Sequence, residues 1–126
     1  MNLNPVGWFE IYVSDMSRAQ TFYESVFMCE LETISVPADE SLVMKGFGSD
    51  MTAYGASGAL VSMEGMTPGG TGTLVYFSCD DCAIECARVP KAGGTVIKEK
   101  FPIGEYGFVA LLQDSEGNMI GLHSQK

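Results

Sequence analysis

Residues 6–13 (VGWFEIYV) are rich in β-branched and aromatic side chains and predict a strand. Its alternation puts Trp8, Glu10 and Tyr12 on one face and Phe9, Ile11 and Val13 on the other. The period then changes. Ala19, Phe22, Tyr23, Val26 and Phe27 recur at helical spacing and predict a helix with an apolar stripe facing a sheet. Ser17 stands as its N-cap, with Gln20 at capping-box spacing. Short apolar runs at residues 31–36, 42–47 and 58–63, each bounded by Pro, Gly, Asp or Ser, predict three more strands.

A composition break follows at residues 64–72 (EGMTPGGTG), which reads as a linker too small to separate independent domains. The order of elements then repeats. Residues 73–79 predict a strand. Residues 80–89 predict a helix capped by Asp80 or Asp81 and ended or kinked at Pro90, with Gly93-Gly94 closing the turn. Residues 95–98, 107–113 and 118–124 predict strands, the last two joined by the turn at 114–118 (DSEGN). The offset between the copies is about 64 residues, placing Ile11-Tyr12-Val13-Ser14 over Val75-Tyr76-Phe77-Ser78. One helix cannot cover both faces of a four-stranded sheet. Two such βαβββ modules must therefore associate, within the chain or across a dimer, around a shared cavity.

The 126 residues suit one domain, with modules at about 1–64 and 73–126 and the linker at about 65–72. Seven bases against 16 acids leave a net charge of −9, which argues against nucleic acid and against anionic membrane as partners. No run is long enough for a membrane span, and no basic residue precedes the first apolar stretch, so the expected location is the cytoplasm. There Cys29, Cys79, Cys82 and Cys86 are expected to be reduced. The spacing Cys79-x-x-Cys82-x-x-x-Cys86 lacks a second pair for structural zinc, and the three are read as small helix-packing residues.

The opening Phe9-Glu10-Ile11-Tyr12-Val13-Ser14-Asp15-Met16-Ser17-Arg18-Ala19, the Phe22-Tyr23 pair, Ala92-Gly93-Gly94, and the closing run from Asp114 to Ser124 together resemble the vicinal oxygen chelate superfamily. This is the glyoxalase, bleomycin-resistance and dioxygenase family, and the resemblance spans the chain. It implies an α+β fold of paired βαβββ modules in a U-shaped mixed sheet around a small-molecule site, often in a homodimer. The family's enzymes take metal ligands from the first and last strands of each module. Those places hold Trp8, Leu60 or Val61, Leu74 and Gly121 here, none able to ligate a hard divalent ion. No metal and no other cofactor is therefore expected.

Two polar residues lie two positions beyond those places, Glu10 and His123, and a step of two keeps a strand residue on the same face. They are the candidate catalytic pair. Their possible roles are a displaced divalent-metal site, proton transfer on a carbonyl compound, or fixing the polar end of a ligand; a buried Glu–His contact closing the cup is the purely structural alternative. Trp8, Tyr12, Tyr76 and Phe108 are the candidate ligand-binding aromatics. The expected function is binding of a small molecule. The alternative is a lyase- or isomerase-type enzyme on a small carbonyl compound, using Glu10 and His123 with or without a metal.

Overall fold

The computed structural model of the chain describes residues 3–36, 39, 41–70 and 72–126. Glu40 of the acidic run and Thr71 of the linker lie outside the described residues. The elements run β1 (Val6–Tyr12), α1 (Met16–Phe27), β2 (Glu32–Ile34), β3 (Val43–Gly46), β4 (Ser57–Ser62), β5 (Thr73–Ser78), α2 (Cys82–Arg88), β6 (Thr95–Pro102), β7 (Phe108–Gln113) and β8 (Met119–Ser124). This is the twice-repeated βαβββ order read from the periodicity. The chain divides into two compact units: Trp8–Thr73, and Leu74–Lys126 together with the residues up to Gly7. The first two residues of β1 thus belong with the second unit.

In the Trp8–Thr73 unit the strand order is β2-β3-β4-β1, with β1 parallel to β4 and the other pairs antiparallel. The register decides which residues share a face. Glu10 lies opposite Ala59, Ala59 opposite Gly46, and Gly46 opposite Glu32. The next row on that face is Tyr12, Val61, Met44 and Ile34. The other face receives α1, through Tyr23 edge-on to Phe47 at 5.8 Å and Phe47 tilted against Phe9 at 5.7 Å. A β-carbon at Gly58 would run into Phe9, so the bare backbone there makes room for that ring.

The start of α1 differs from the expectation. Asp15, not Ser17, is the N-cap: its backbone is extended (φ −132°, ψ 100°) and its carboxylate accepts from the Arg18 N–H at 3.0 Å. Ser17 already lies in the first turn, where its carbonyl accepts from Thr21 Oγ1. Gln20 reaches forward to Glu24, not back. The apolar stripe is also less covered than expected. Phe22, Val26 and Phe27 remain 57%, 56% and 63% exposed. The helix rests on the sheet along a narrow line through Met16, Ala19 and Tyr23, all half-buried, and the flanks of the stripe overhang.

In the other unit the order is β5-β8-β7-β6, with β5 parallel to β8 and the other pairs antiparallel. Helix α2 begins two residues later and ends one residue earlier than predicted. Asp81 caps it by accepting from the Ala83 N–H at 3.0 Å and is paired to Lys100 at 2.9 Å. The buried Ser124 hydroxyl accepts from the Cys82 N–H, so one orphan donor of the helix start is satisfied from β8. Cys82, Cys86, Ala110, Leu112 and Leu122 form the core between α2 and the sheet. β6 runs past the predicted end at residue 98, through register shifts on either side of Lys98. It pairs on one side only in this unit's order, where charged residues are tolerated and resist further pairing.

Candidate functional site

β1 carries the most tightly held polar group. The Glu10 side chain is buried, with 9% exposure. One carboxylate oxygen accepts from the Trp8 indole N–H at 3.2 Å and the other from the Tyr12 hydroxyl at 2.8 Å. Residues 8, 10 and 12 share a strand face, so strand geometry alone brings these groups together. The two donors hold the carboxylate in one orientation and leave both aromatic rings beside it. Glu32, Met44, Gly46, Ala59 and Val61 share the face by register; sequence inspection named Val61 only as an alternative to Leu60 and gave Glu32, Gly46 and Ala59 no role. Alternation gives the face within each strand; only pairing gives the neighbours across strands.

The remaining candidates lie in the other unit. Tyr76 is buried, opposite Gly121 on β8, and its ring occupies the place a β-carbon at 121 would take. His123 lies opposite Ser78 on β5 and Val109 on β7, on the same face as Tyr76 and Gly121. Its Nε2 lies 2.6 Å from the Tyr106 carbonyl oxygen. A carbonyl only accepts, so Nε2 donates, and in the neutral ring Nδ1 keeps the lone pair. Phe108 does not join them. It lies opposite Ser124, packs against the α2 core and has the Lys100 ammonium 4.6 Å from its ring centre. An odd offset from Val109 puts it on the other face.

The places where the fold family carries metal ligands do not fit a divalent cation. Val61, not Leu60, shares the face of Trp8, which resolves the loose register, and Leu74 is buried. Any side chain at 121 would have to displace the Tyr76 ring. Among the described residues no group of three or more His, Cys, Asp or Glu side chains is placed to hold a metal ion.

Two surface hollows lie elsewhere. One of about 340 Å³ is lined by Val13, Arg18, Phe22, Tyr23 and Pro68 among others; the second, of about 270 Å³, sits between the end of α2 and the start of the 114–118 turn. Neither is lined by Trp8, Glu10, Tyr12, Tyr76 or His123.

The cysteines sit as packing residues. Cys82 and Cys86 are buried in the α2 core, and all four thiols are free. Burial, reinforced by the nearby Glu85, pushes the Cys79 thiol up to about 12. Burial and then the Glu99 carboxylate push Cys86 up as well. At pH 8 Cys79 should therefore hold roughly a thousandfold less thiolate than an ordinary thiol. Iodoacetamide labelling followed by peptide mass analysis should modify the half-buried Cys29 first. Labelling of Cys79 at a matching rate would contradict the raised thiol.

Comparison with known proteins places this arrangement. The sequence model of the Glyoxalase/Bleomycin resistance protein/Dioxygenase superfamily matches residues 6–122. The chain belongs to this superfamily. The glyoxalase-type match covers both copies of the βαβββ repeat. Among curated relatives, the candidate glyoxylase CFP32 of Mycobacterium bovis and Mycobacterium tuberculosis is 29% identical over 119 residues. That match takes in 92% of this chain but 44% of CFP32, so the chain spans less than half the length of the curated relatives it matches. Solved structures share the superfamily fold. Methylmalonyl-CoA epimerase from Streptomyces coelicolor aligns with a TM-score of 0.67 at 14% identity, over 95% of this chain and 96% of that one. The Mycobacterium tuberculosis epimerase aligns at 0.68 and 15%, over 97% and 88%. The hypothetical protein BH1468 of Bacillus halodurans aligns at 0.69 and 14%, over 96% and 94%. At these identities the likeness is one of fold. The α+β class and the mixed sheet expected from sequence are those of this superfamily.

Proposed function

We propose that the chain is a glyoxalase-like small-molecule-binding protein whose ligand contacts the Trp8–Glu10–Tyr12 face of β1. The observation that carries this reading is the buried Glu10 carboxylate, oriented by the Trp8 and Tyr12 donors. An oriented polar group beside aromatic surface is the usual make-up of a ligand anchor. Within the other unit, Tyr76 and His123 share a face of their own strands and are proposed as ligand contacts of that unit by itself; Phe108 is left to the α2 core. The reading invokes no metal, because the donor set at the family's ligand places is apolar.

Trp8 is the single tryptophan of the chain, so intrinsic emission reports on this site without labelling. A small-molecule screen read by Trp8 emission and thermal midpoint should return compounds that move both. Their affinity should fall about tenfold or more in Glu10→Gln, from loss of a charge-assisted hydrogen bond. Hits that bind Glu10→Gln unchanged would sink the assignment.

A second reading has its own support. With Nε2 donating to Tyr106, the neutral His123 ring presents Nδ1 as a proton acceptor, as a lyase- or isomerase-type reaction on a small carbonyl compound would use. Turnover abolished by His123→Ala in a folded protein favours this reading; a change in affinity alone favours the binding protein. We further propose a cytoplasmic homodimer. Superfamily members often pair, and exposed Phe22, Val26 and Phe27 on α1 offer apolar surface for pairing. Light scattering reads the mass directly, and a monomer at high concentration would exclude the pairing.

A further inference from the structure

We infer that two copies of the chain pair through α1, packed antiparallel about a two-fold axis at Phe22, with Val26 of each copy seated in the hollow beside Arg18 of the other. The inference rests on the homodimer proposed above and names its interface. It starts from the hollow of about 340 Å³, which lies along one flank of α1 and is lined by Val13, Arg18, Ala19, Phe22 and Pro68 among others. Phe22 forms its edge, and Val26 stands one turn further along the same flank, both more than half exposed. The hole and the side chain that would fill it therefore lie on one helix, on either side of Phe22.

A two-fold axis turns that spacing into a fit. In an antiparallel helix pair centred on Phe22, the residue four positions after it meets the residue four positions before it on the other copy. Val26 of one copy then lands on Arg18 and Ala19 of the other, and the two Phe22 rings meet at the axis. A rise of about 1.5 Å per residue puts each Val26 about 6 Å from that axis. Eight positions after Phe22 comes Glu30, and eight before it Ser14, each just outside an end of α1. Glu30 is exposed, and the Leu31 N–H, donating to the Glu24 carboxylate at 2.8 Å, holds its segment against the last turn of the helix. The Arg18 guanidinium donates to the Ser14 hydroxyl at 3.4 Å. The same axis thus sets Glu30 of one copy beside Arg18 of the other, once at each end of the contact.

Charge complementarity selects a second copy as the occupant. Residues 8–73 hold two bases, Arg18 and Lys45, against nine acids. The Lys45 ammonium is turned to Thr33 Oγ1 at 2.7 Å. Arg18 is therefore the base that this unit presents at the hollow, and no carboxylate of the described residues forms an ion pair with it. Asp15 also lines the hollow, but its carboxylate is engaged by the Arg18 N–H as the helix cap. The chain itself supplies both the apolar side chain and the acid that this flank lacks, at matching distances from Phe22. Phe27 takes no part. It lies about 140° round the helix from Phe22 and is stacked on Tyr23 at 6.1 Å.

Sedimentation equilibrium on the whole chain reads the dimer dissociation constant. Phe22→Glu places two carboxylates at the axis and should weaken the dimer at least about tenfold. Arg18→Glu and Glu30→Arg each set like charges together at both ends of the contact, and each should weaken it by about tenfold. Mixed in equal amounts, these two variants should form a heterodimer of near-parent affinity, because both ends then pair opposite charges. Phe27→Ser should leave the constant within about twofold. Positions 18 and 30 are exposed, so the charge variants keep the parent fold, which thermal unfolding by circular dichroism checks. A dimer that Phe22→Glu, Arg18→Glu and Glu30→Arg all leave unweakened overturns the interface and leaves the homodimer standing. So does a mixture of the charge variants no tighter than each alone, or a Phe27→Ser dimer as weak as Phe22→Glu. A parent chain that stays monomeric at high concentration overturns the homodimer and this interface together, and leaves the hollow to a small ligand or a different protein.

Discussion

Replacing Gly121 by glutamate should lower the melting temperature by roughly 10 °C, the equivalent of about 3 kcal/mol for a domain of this size. The substitution puts a carboxylate at one of the places where the family resemblance expects a metal ligand. Here the Tyr76 ring lies where even the β-carbon would go, and Gly121 is itself buried on β8. The new side chain must push Tyr76 aside, and its charge enters a region with little water to solvate it. Thermal unfolding by circular dichroism measures the loss. The double variant Gly121→Glu with Tyr76→Ala relieves the collision and should recover part of it, because neighbouring substitutions that share one clash are not additive. A Gly121→Glu protein as stable as the parent would show that Tyr76 turns away freely, and would reopen the family's metal place to design.

Glu10→Ala should cost about 2–6 kcal/mol, because it removes the acceptor from two donors at once, each lost partner contributing about 1–3 kcal/mol. The Tyr12 hydroxyl is the more buried and should account for the larger share. Glu10→Gln keeps one acceptor oxygen and should cost clearly less. Chemical denaturation of the two variants, with Trp8 emission as the probe, separates a role in folding from one in binding. If Glu10→Ala unfolds at the parent's midpoint, the hydrogen bonds from Trp8 and Tyr12 contribute nothing to the native state and Glu10 is no built anchor.

The two positions differ in what their side chains can do within one fold. At 121 a glycine lets the Tyr76 ring pack where a β-carbon would stand. At 10, one strand step beyond Trp8, a carboxylate is held by hydrogen bonds from its own strand. The family match extends from residue 6 to residue 122 and fixes the architecture. The chemistry depends on a few side chains, which vary independently of that architecture.

Local rules written into the sequence determined much of this protein. Period-two and helical spacing placed all eight strands and both helices in order, because backbone geometry dictates which residues share a side. The same rule put Trp8, Glu10 and Tyr12 together, since they are neighbours on one face of one strand. The absence of metal-ligating side chains at Trp8, Leu74 and Gly121 was equally legible, being a matter of residue identity.

What depended on pairing was not legible. Leu60 and Val61 are one residue apart, and only the β1–β4 register shows that Val61 faces with Trp8. Phe108 looked like a pocket residue until its pairing with Ser124 put it in the α2 core. The row from Glu10 to Glu32 joins residues 22 positions apart through two strands that lie later in the chain than either. The exposed flanks of α1 were hidden too, because a helical stripe shows which side is apolar but not how much of that side the sheet can cover. In each case the deciding quantity is a contact between distant segments. Alternation fixes a side chain's face relative to its own strand, and only the tertiary fold says what lies across from it.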